Sequence, residues 1–172
     1  ELRGIERQGG SVRIGAATTE AAIEASAEIA GAAPLLARAT PLIGHFQIRN
    51  RGTIGGSIAH ADPASELPAV ALALDAELDL ASASGTRSVA AADFFEGTFM
   101  TVVADDELVT AIRFPVWGPG SGFAVREFAR RSGDFAVAGA MAGLQADASG
   151  RITKAALAFI GMGSAPIRGT SV

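Results

Sequence analysis

The stretch from Thr53 to Pro68 contains the residues best suited to chemistry. Two adjacent glycines, Gly55 and Gly56, stand between Thr53 and Ser57. Because glycine lacks a Cβ and can adopt positive φ, such a pair lets main-chain N–H groups surround an anion, most often a phosphate. A tight turn that binds nothing is the alternative. Neither the G-x-G-x-x-G spacing of a Rossmann fold nor the G-K-[S/T] ending of an NTPase loop is present, which disfavours both.

Charged residues flank this glycine pair on both sides. Arg49 and Arg51 precede it and would add positive charge beside an anion, while Asp62 and Glu66 follow it. Carboxylates accept hydrogen bonds from hydroxyl groups, so a phosphate compound with sugar-like hydroxyls, such as a dinucleotide, would use both kinds of residue. For Glu66 the alternative is a carboxylate that only stabilises the first turn of its own helix.

Composition excludes several classes of protein. The 14 basic and 18 acidic residues give a net charge of -4, which disfavours nucleic acid as a partner. Without cysteine, this chain has no thiolate-bound iron–sulfur cluster and no disulfide, and its two histidines supply a metal site poorly. We therefore predict no metal site, and any proton chemistry would fall on carboxylates, the two histidines or a cofactor. We expect no transmembrane segment and, because no signal-like segment follows Glu1, part of a cytoplasmic protein.

Periodicity and turn residues predict an α+β fold, with helices packed on a mixed, largely antiparallel sheet. Thr18 is the predicted N-cap of a helix that runs to Ala30 and ends at Gly31. A second helical stretch begins near Pro34 and breaks at Pro41. The other predicted elements are strands at 2–5, 12–16 and 107–114, a helix at 66–74 and a hairpin at 77–90.

The segment from Pro115 to Gly122 has three glycines and two prolines, which is typical of a linker. We therefore predict a first domain at 1–115, a linker at 116–122 and a second domain at 123–172. The second domain would contain strands at 123–128, 134–145 and 152–162. The Ala-rich middle segment could instead be helical.

Several separated motifs resemble those of one protein family. The run from Gln47 to Ser57, continued by Ala61-Asp62-Pro63 and Glu66-Leu67-Pro68, is similar to the second FAD-binding motif in the flavoprotein subunit of molybdenum hydroxylases. That family includes the medium subunit of aerobic carbon monoxide dehydrogenase and the FAD domain of xanthine dehydrogenase. Further similar segments follow in the family's order: 14–18, 92–95, 107–115 and 128–136.

The resemblance implies a fold, a cofactor and partners. The fold would be the second subdomain of a PCMH-type FAD-binding domain, followed by the start of a C-terminal α+β domain. FAD would collect electrons from iron–sulfur clusters on a small subunit, while a large subunit carries the molybdenum cofactor. The pyrophosphate would lie against Thr53, Ile54, Gly55, Gly56 and Ser57. The remaining implied contacts are Glu66 with the cofactor's hydroxyls, Ile43 and Leu108 with the flavin, and Asp62 near the glycine pair.

Three features depart from the family's pattern. Ser57 stands where many relatives have asparagine, and Glu127 stands where several have lysine, a cation that can approach the flavin. The family's other Gly-rich FAD motif would precede residue 1, so we expect this chain alone to bind FAD weakly or not at all. Two alternatives remain: a free-standing flavin oxidoreductase with its own substrate, and an interaction domain without enzymatic activity in which the glycine pair is purely structural.

Overall fold

The computed structural model describes residues 2–170, which form antiparallel sheets of five, four and two strands with short helices packed between and around them. The α+β fold predicted from the sequence is confirmed. The helices are α1 (Glu20–Glu24), α2 (Ala27–Ala32), α3 (Pro34–Ala39), α4 (Phe46–Arg49), α5 (Ile54–His60) and α6 (Glu66–Ala73), with 3-10 turns at Thr40–Leu42 and Ala91–Asp93. The strands are β1 (Ile5–Gln8), β2 (Ser11–Gly15), β3 (Glu77–Ser82), β4 (Gly85–Ala90), β5 (Phe95–Gly97), β6 (Met100–Thr101), β7 (Leu108–Pro115), β8 (Ser121–Phe128), β9 (Ala138–Ala146), β10 (Ile152–Ile160) and β11 (Ile167–Arg168).

The first sheet has the strand order β1-β2-β7-β3-β4, and its centre is β7. Ile112 of β7 pairs with Ile14 on one side and with Leu78 on the other, and all three side chains are fully buried. On the opposite face, Arg113 forms ion pairs with Glu77 and Asp79 of β3. The sheet thus has an apolar face toward the helices and an opposite face that carries this cluster of ion pairs.

The helical region after β2 differs from the prediction in its boundaries. Instead of one helix ending at Gly31, two helices form: Thr19 caps α1, and Ser26 caps α2 by accepting a hydrogen bond from the Ile29 N–H at 3.2 Å. Thr18, the predicted cap, uses its hydroxyl to bind the backbone of Gly4. The predicted break at Pro41 is confirmed, because a 3-10 turn replaces the α-helix there.

The second sheet has the order β11-β10-β9-β8, and the Ala-rich segment is its strand β9 rather than a helix. Helix α6 packs against β9, β10 and β11 of this sheet and also against α3 and α5. All eight residues of α6 are buried. The domain division at 116–122 stays a prediction, and α6, which precedes that segment, packs on the second sheet.

The segment between the sheets is fixed by aromatic and cationic contacts. Trp117 meets the ring of Phe123 at 5.2 Å between centroids, and Lys154 Nζ lies 4.2 Å from the centre of the indole. No helix between residues 2 and 170 combines the length and apolar character needed to cross a bilayer.

Candidate functional site

The glycine pair lies inside a helix. Thr53 is the N-cap of α5, and its Oγ1 accepts a hydrogen bond from the Gly56 N–H at 3.1 Å. Neither Gly55 nor Gly56 has positive φ, so the alternative of a tight turn is wrong. The helix forms despite the low helix propensity of two glycines, because hydrogen bonds from Ile54 and Gly55 to the preceding segment fix its first turn.

The main-chain N–H groups at the start of α5 already have acceptors within the chain. Ile54 donates to the Thr18 carbonyl at 3.1 Å, and Gly55 donates to the Ala16 carbonyl at 2.9 Å. An anion approaching this helix therefore meets side-chain hydroxyls and the open surface of Gly56 first, not a set of free amides. The hydroxyls of Thr53 and Ser57 border that surface.

The two glycines have different surroundings. A Cβ on buried Gly55 would lie 2.8 Å from the Ala16 carbonyl oxygen and 2.9 Å from its Cα, so only glycine allows α5 to approach β2 this closely. Gly56 is exposed, and a Cβ there would meet only Thr53 Oγ1, at 3.0 Å. Gly55 thus serves packing, and Gly56 leaves the surface of the helix open.

A turn held by Asp62 connects α5 to α6. The Asp62 carboxylate accepts a hydrogen bond from the Ala64 N–H at 2.8 Å, and its carbonyl accepts one from the Ser65 N–H at 3.0 Å. The Ser65 hydroxyl lies 3.3 Å from the Ser57 hydroxyl. Asp62 therefore fixes the turn that places Ser57 and Ser65 side by side.

Glu66, the first residue of α6, is a buried carboxyl with a 5% exposed fraction. Burial raises its pKa to about 7, and the nearby acidic groups of Glu127, Glu20 and Asp62 act in the same direction. A buried carboxyl with a pKa near neutrality can accept or donate a hydrogen bond toward a ligand.

Glu20 is a second buried carboxyl, and sequence reasoning missed it. Its exposed fraction is 3%, its Oε2 has no partner within residues 2–170, and it packs on Gly52, where a Cβ would lie 2.6 Å from that oxygen. Burial raises its pKa to about 7, while Arg49 opposes the rise. The sequence held one hint of this burial: Glu20 is the first residue of a short helix and is followed by three apolar residues.

Arg49 does not serve the role suggested by its position before the glycine pair. Its Nε donates to Glu24 at 2.7 Å, and its Nη1 donates to the Ile43 carbonyl at 2.9 Å. These bonds hold α4 against α1, so Arg49 is already neutralised. Arg51 is exposed, so it remains the arginine that could place a positive charge beside a bound anion.

A cavity of about 100 Å³ brings some of the predicted site residues together. Ile43, Ser65 and Glu66 line it with Ile48 and with residues 133–135 of the loop between β8 and β9. Leu108 is not part of its wall; the residue is 68% exposed at the start of β7.

The loop after β8 belongs to the segment 128–136 that resembles the family, and its residues 134–137 precede strand β9 instead of opening it as predicted. In the structure, Gly133 has a φ of +84° and packs directly on the His45 ring, where any Cβ would overlap it. This contact places Asp134 and Phe135 at the cavity, and Phe135 is 69% exposed. Within residues 2–170, no group of three or more His, Asp or Glu side chains is arranged to hold a metal ion.

Comparison with known proteins identifies the family. Residues 1–117 match the family described as the FAD binding domain in molybdopterin dehydrogenase. The chain is 44% identical over 139 residues to the carbon monoxide dehydrogenase medium chain of Hydrogenophaga pseudoflava, covering 81% of this chain and 48% of that protein. It is 40% identical over 172 residues to the glyceraldehyde dehydrogenase medium chain of Sulfolobus acidocaldarius, covering 100% of this chain and 60% of that protein.

A solved structure has the same fold. The carbon monoxide dehydrogenase from Hydrogenophaga pseudoflava that lacks the Mo-pyranopterin moiety superimposes with a TM-score of 0.93 and 38% identity, covering 97% of this chain and 58% of that one. The chain thus spans about half the length of the relatives it matches. With the family match covering most of its residues, the chain belongs to the FAD-binding domains of the molybdopterin dehydrogenases.

Proposed function

We propose that this chain is the FAD-binding part of an electron-transfer subunit in a cytoplasmic molybdenum hydroxylase. Its partners would be a small subunit with iron–sulfur clusters and a large subunit with the molybdenum cofactor, and an external acceptor would receive the electrons. The observation that carries this proposal is the open surface of Gly56, bordered by two hydroxyls and close in sequence to the buried Glu66.

The residues at the start of α5 fit a pyrophosphate. Thr53 Oγ1 accepts its hydrogen bond from the Gly56 N–H, which leaves the Thr53 hydroxyl proton free to donate to an anion. Ser57 brings a second hydroxyl, and Gly56 lets phosphate oxygens come close because it has no side chain. Ile54 is fully buried and anchors the helix, while Gly55 fixes its distance from β2.

The remaining site residues would orient the cofactor. Glu66 would accept hydrogen bonds from the cofactor's hydroxyls, and Asp62 would hold the turn that presents Ser57 and Ser65. Ile43 and Leu108 would supply apolar contacts to the flavin ring. FAD, when bound, would supply the redox chemistry by taking electrons from a donor and releasing them to an acceptor.

Analysis of the native protein, purified from its source, tests this proposal. We expect FAD, iron and molybdenum to co-purify with it in an assembly of three kinds of subunit. A lone flavoprotein would favour a free-standing flavin oxidoreductase instead. A preparation without flavin would contradict the proposal.

A matched pair of variants tests the site itself. Ser57→Ala removes a hydroxyl next to the proposed pyrophosphate and should weaken FAD binding about tenfold or more, since a hydrogen bond to a charged group contributes about 1.5–3 kcal/mol. Ser84→Ala, at the exposed tip of the β3–β4 hairpin, should leave FAD binding unchanged. Equal FAD affinity in the two variants, measured by flavin fluorescence titration, would rule out Ser57 as a contact.

A further inference from the structure

The ring of His45 packs against the backbone of the loop between β8 and β9, residues 129–137. Gly133 of this loop has a φ of +84°, and the three atoms nearest to a Cβ built on it all belong to the His45 ring. That Cβ would lie 2.6 Å from Nδ1 and 2.8 Å from Nε2, closer than a real Cβ comes to another atom. Only glycine therefore lets the loop approach the ring so closely.

The main chain of His45 is fixed by helix α4. His45 is the N-cap residue of that helix, and its carbonyl accepts hydrogen bonds from the N–H groups of Ile48 at 2.9 Å and Arg49 at 3.2 Å. Serine, threonine, asparagine and aspartate are preferred at this position because their side chains cap the helix. Within residues 2–170, the imidazole of His45 accepts no such hydrogen bond, so the ring is available to contact the loop.

Two backbone hydrogen bonds shape the loop between β8 and β9. The Val137 N–H donates to the Phe128 carbonyl at 2.8 Å and closes the base of the loop, and the Asp134 N–H donates to the Arg131 carbonyl at 3.2 Å and turns its tip. Both bonds join residues of the loop to each other or to the strand before it. They therefore do not fix the loop against the helices, whereas the contact with the His45 ring does.

The two segments that meet at this contact form different parts of the wall of the candidate cofactor cavity. Ile43, Gly44 and Ile48, on either side of His45, line the cavity from the helical region, and residues 133–135 line it from the loop. A cavity between two segments keeps its shape only while the distance between them is fixed. The contact of the His45 ring with the loop therefore determines that shape.

We propose that His45 is a positioning residue, whose ring holds the loop between β8 and β9 in place and thereby fixes one wall of the cofactor cavity. This inference rests on the proposed FAD-binding function and deepens it, because His45 is not among the residues that line the cavity. When the ring is removed, the loop also occupies positions away from the cavity. FAD affinity then falls in proportion to the fraction of molecules that keep the loop in place.

Two substitutions of His45 separate positioning from a purely structural role. His45→Ala removes the surface on which Gly133 packs, whereas His45→Phe keeps a flat ring of similar size. Because His45 is exposed, neither change opens a cavity in the core, and the stability of both variants in urea should stay close to that of the parent protein. A purely structural role would instead lower stability and FAD affinity together.

Two glycines with the same backbone conformation provide a matched pair. Gly133 has a φ of +84° and Gly150 a φ of +83°, so alanine is similarly strained at both positions. In the part of the chain that the structure describes, a Cβ on Gly150 would meet no atom within 4 Å, whereas one on Gly133 would overlap the His45 ring. Gly150→Ala is therefore the control for Gly133→Ala, and any additional effect at Gly133 reports its contact with His45.

The first measurement uses the native protein in the absence of FAD. Trypsin cleaves after exposed arginines, and Arg130 and Arg131 are exposed in the loop. His45→Ala should raise the rate of cleavage at these two sites about fivefold or more, because proteolysis follows the population of the open form and the loss of a contact changes that population by such a factor. His45→Phe should be cleaved as slowly as the parent protein. Equal rates in the parent and His45→Ala would overturn the positioning role.

The second measurement is the FAD dissociation constant of the same proteins. His45→Ala should bind FAD about tenfold more weakly, as expected when the loop is in place in about a tenth of the molecules. Gly133→Ala should weaken FAD binding more than Gly150→Ala does. The effect of Gly133→Ala should be smaller when it is combined with His45→Ala, since the ring that the methyl overlaps is then absent. An equal effect of Gly133→Ala with and without the ring would refute the contact.

The two measurements distinguish failure of this inference from failure of the proposed function. Failure of every protein to bind FAD would refute the proposed function, while the cleavage rates would still decide whether His45 holds the loop. Normal FAD binding by His45→Ala, together with rapid cleavage of its loop, would refute this inference alone.

Discussion

Replacing Gly55 by alanine should destabilise the protein, whereas the same change at Gly56 should not. A methyl group on Gly55 would lie 2.8 Å from the Ala16 carbonyl oxygen and 2.9 Å from Ala16 Cα, and closer still to Ala16 Cβ. These atoms belong to backbone and to a side chain without a rotatable heavy-atom torsion. Helix α5 would have to move away from β2, which would stretch the 2.9 Å hydrogen bond from the Gly55 N–H to Ala16.

The expected size of the effect follows from three contributions. Overpacking costs about 1–3 kcal/mol, and a weakened backbone hydrogen bond costs about 1 kcal/mol. The higher helix propensity of alanine offsets about 1 kcal/mol. The net destabilisation of Gly55→Ala should be about 2 kcal/mol, or roughly 4–8 °C in Tm for a chain of this size.

Gly56→Ala is the matched control, because it makes the same chemical change one residue further along the same helix. Its methyl would meet only the Thr53 hydroxyl, at 3.0 Å, so a small displacement of Thr53 opposes the gain in helix propensity. We expect stability within about 1 kcal/mol of the parent protein, together with weaker FAD binding, since the methyl would cover the open surface of the helix.

The assay is urea unfolding followed by fluorescence of Trp117, the chain's one tryptophan, with thermal unfolding followed by circular dichroism as a second probe. Equal stability in the two variants would refute the packing role of Gly55. A Gly55→Ala protein as stable as the parent would do the same.

Three further substitutions test other parts of the fold. Burial raises the pKa of Glu20 to about 7 from the ordinary value of 4.5, so its stabilising contribution is complete below pH 4.5 and is lost as the pH rises through 7. Glu20→Gln should therefore be increasingly more stable than the parent from pH 5 to pH 8, by up to about 3 kcal/mol in urea unfolding, and parallel pH profiles would contradict this. Lys154→Met should alter the emission of Trp117 and cost about 0.5–1 kcal/mol, since the ammonium lies 4.2 Å from the indole centre; unchanged emission would count against that contact. Phe94→Ala, at a fully buried position, should cost about 3–5 kcal/mol, and a loss below about 1 kcal/mol would show that the site collapses freely.

Local sequence patterns predicted most strands, because the alternation of their side chains indicates which face is buried. They also predicted helix α6, although the structure buries all of its sides. Ile14, Leu78 and Ile112 lie on strands whose apolar residues alternate, and the three pair across the first sheet. The same reasoning failed for α5. Two consecutive glycines oppose a helix locally, and only the close approach of Gly55 to Ala16 explains why one forms there.

The candidate site could be predicted only where its residues are close in sequence. Thr53, Ser57 and Glu66 lie within one sequence motif, so recognising that motif predicts all three as site residues. Residues 133–135 belong to the loop between β8 and β9, and no local pattern indicates that they line the same cavity as Glu66. Adjacent threonines gave a similar difficulty, because Thr18 rather than Thr19 was expected to cap α1, and the preference is settled by the tertiary bonds of Thr18 to Gly4.

Helix α6 has no side that faces solvent, since each of its eight residues is buried. On one side α6 is covered by helices α3 and α5, and on the other by strands β9, β10 and β11. Cutting the chain near Gly118 would expose to solvent the apolar side of α6 that β9, β10 and β11 cover. We therefore expect the N-terminal fragment to aggregate. We expect the uncut chain to unfold in a single calorimetric peak, although it contains more than one sheet.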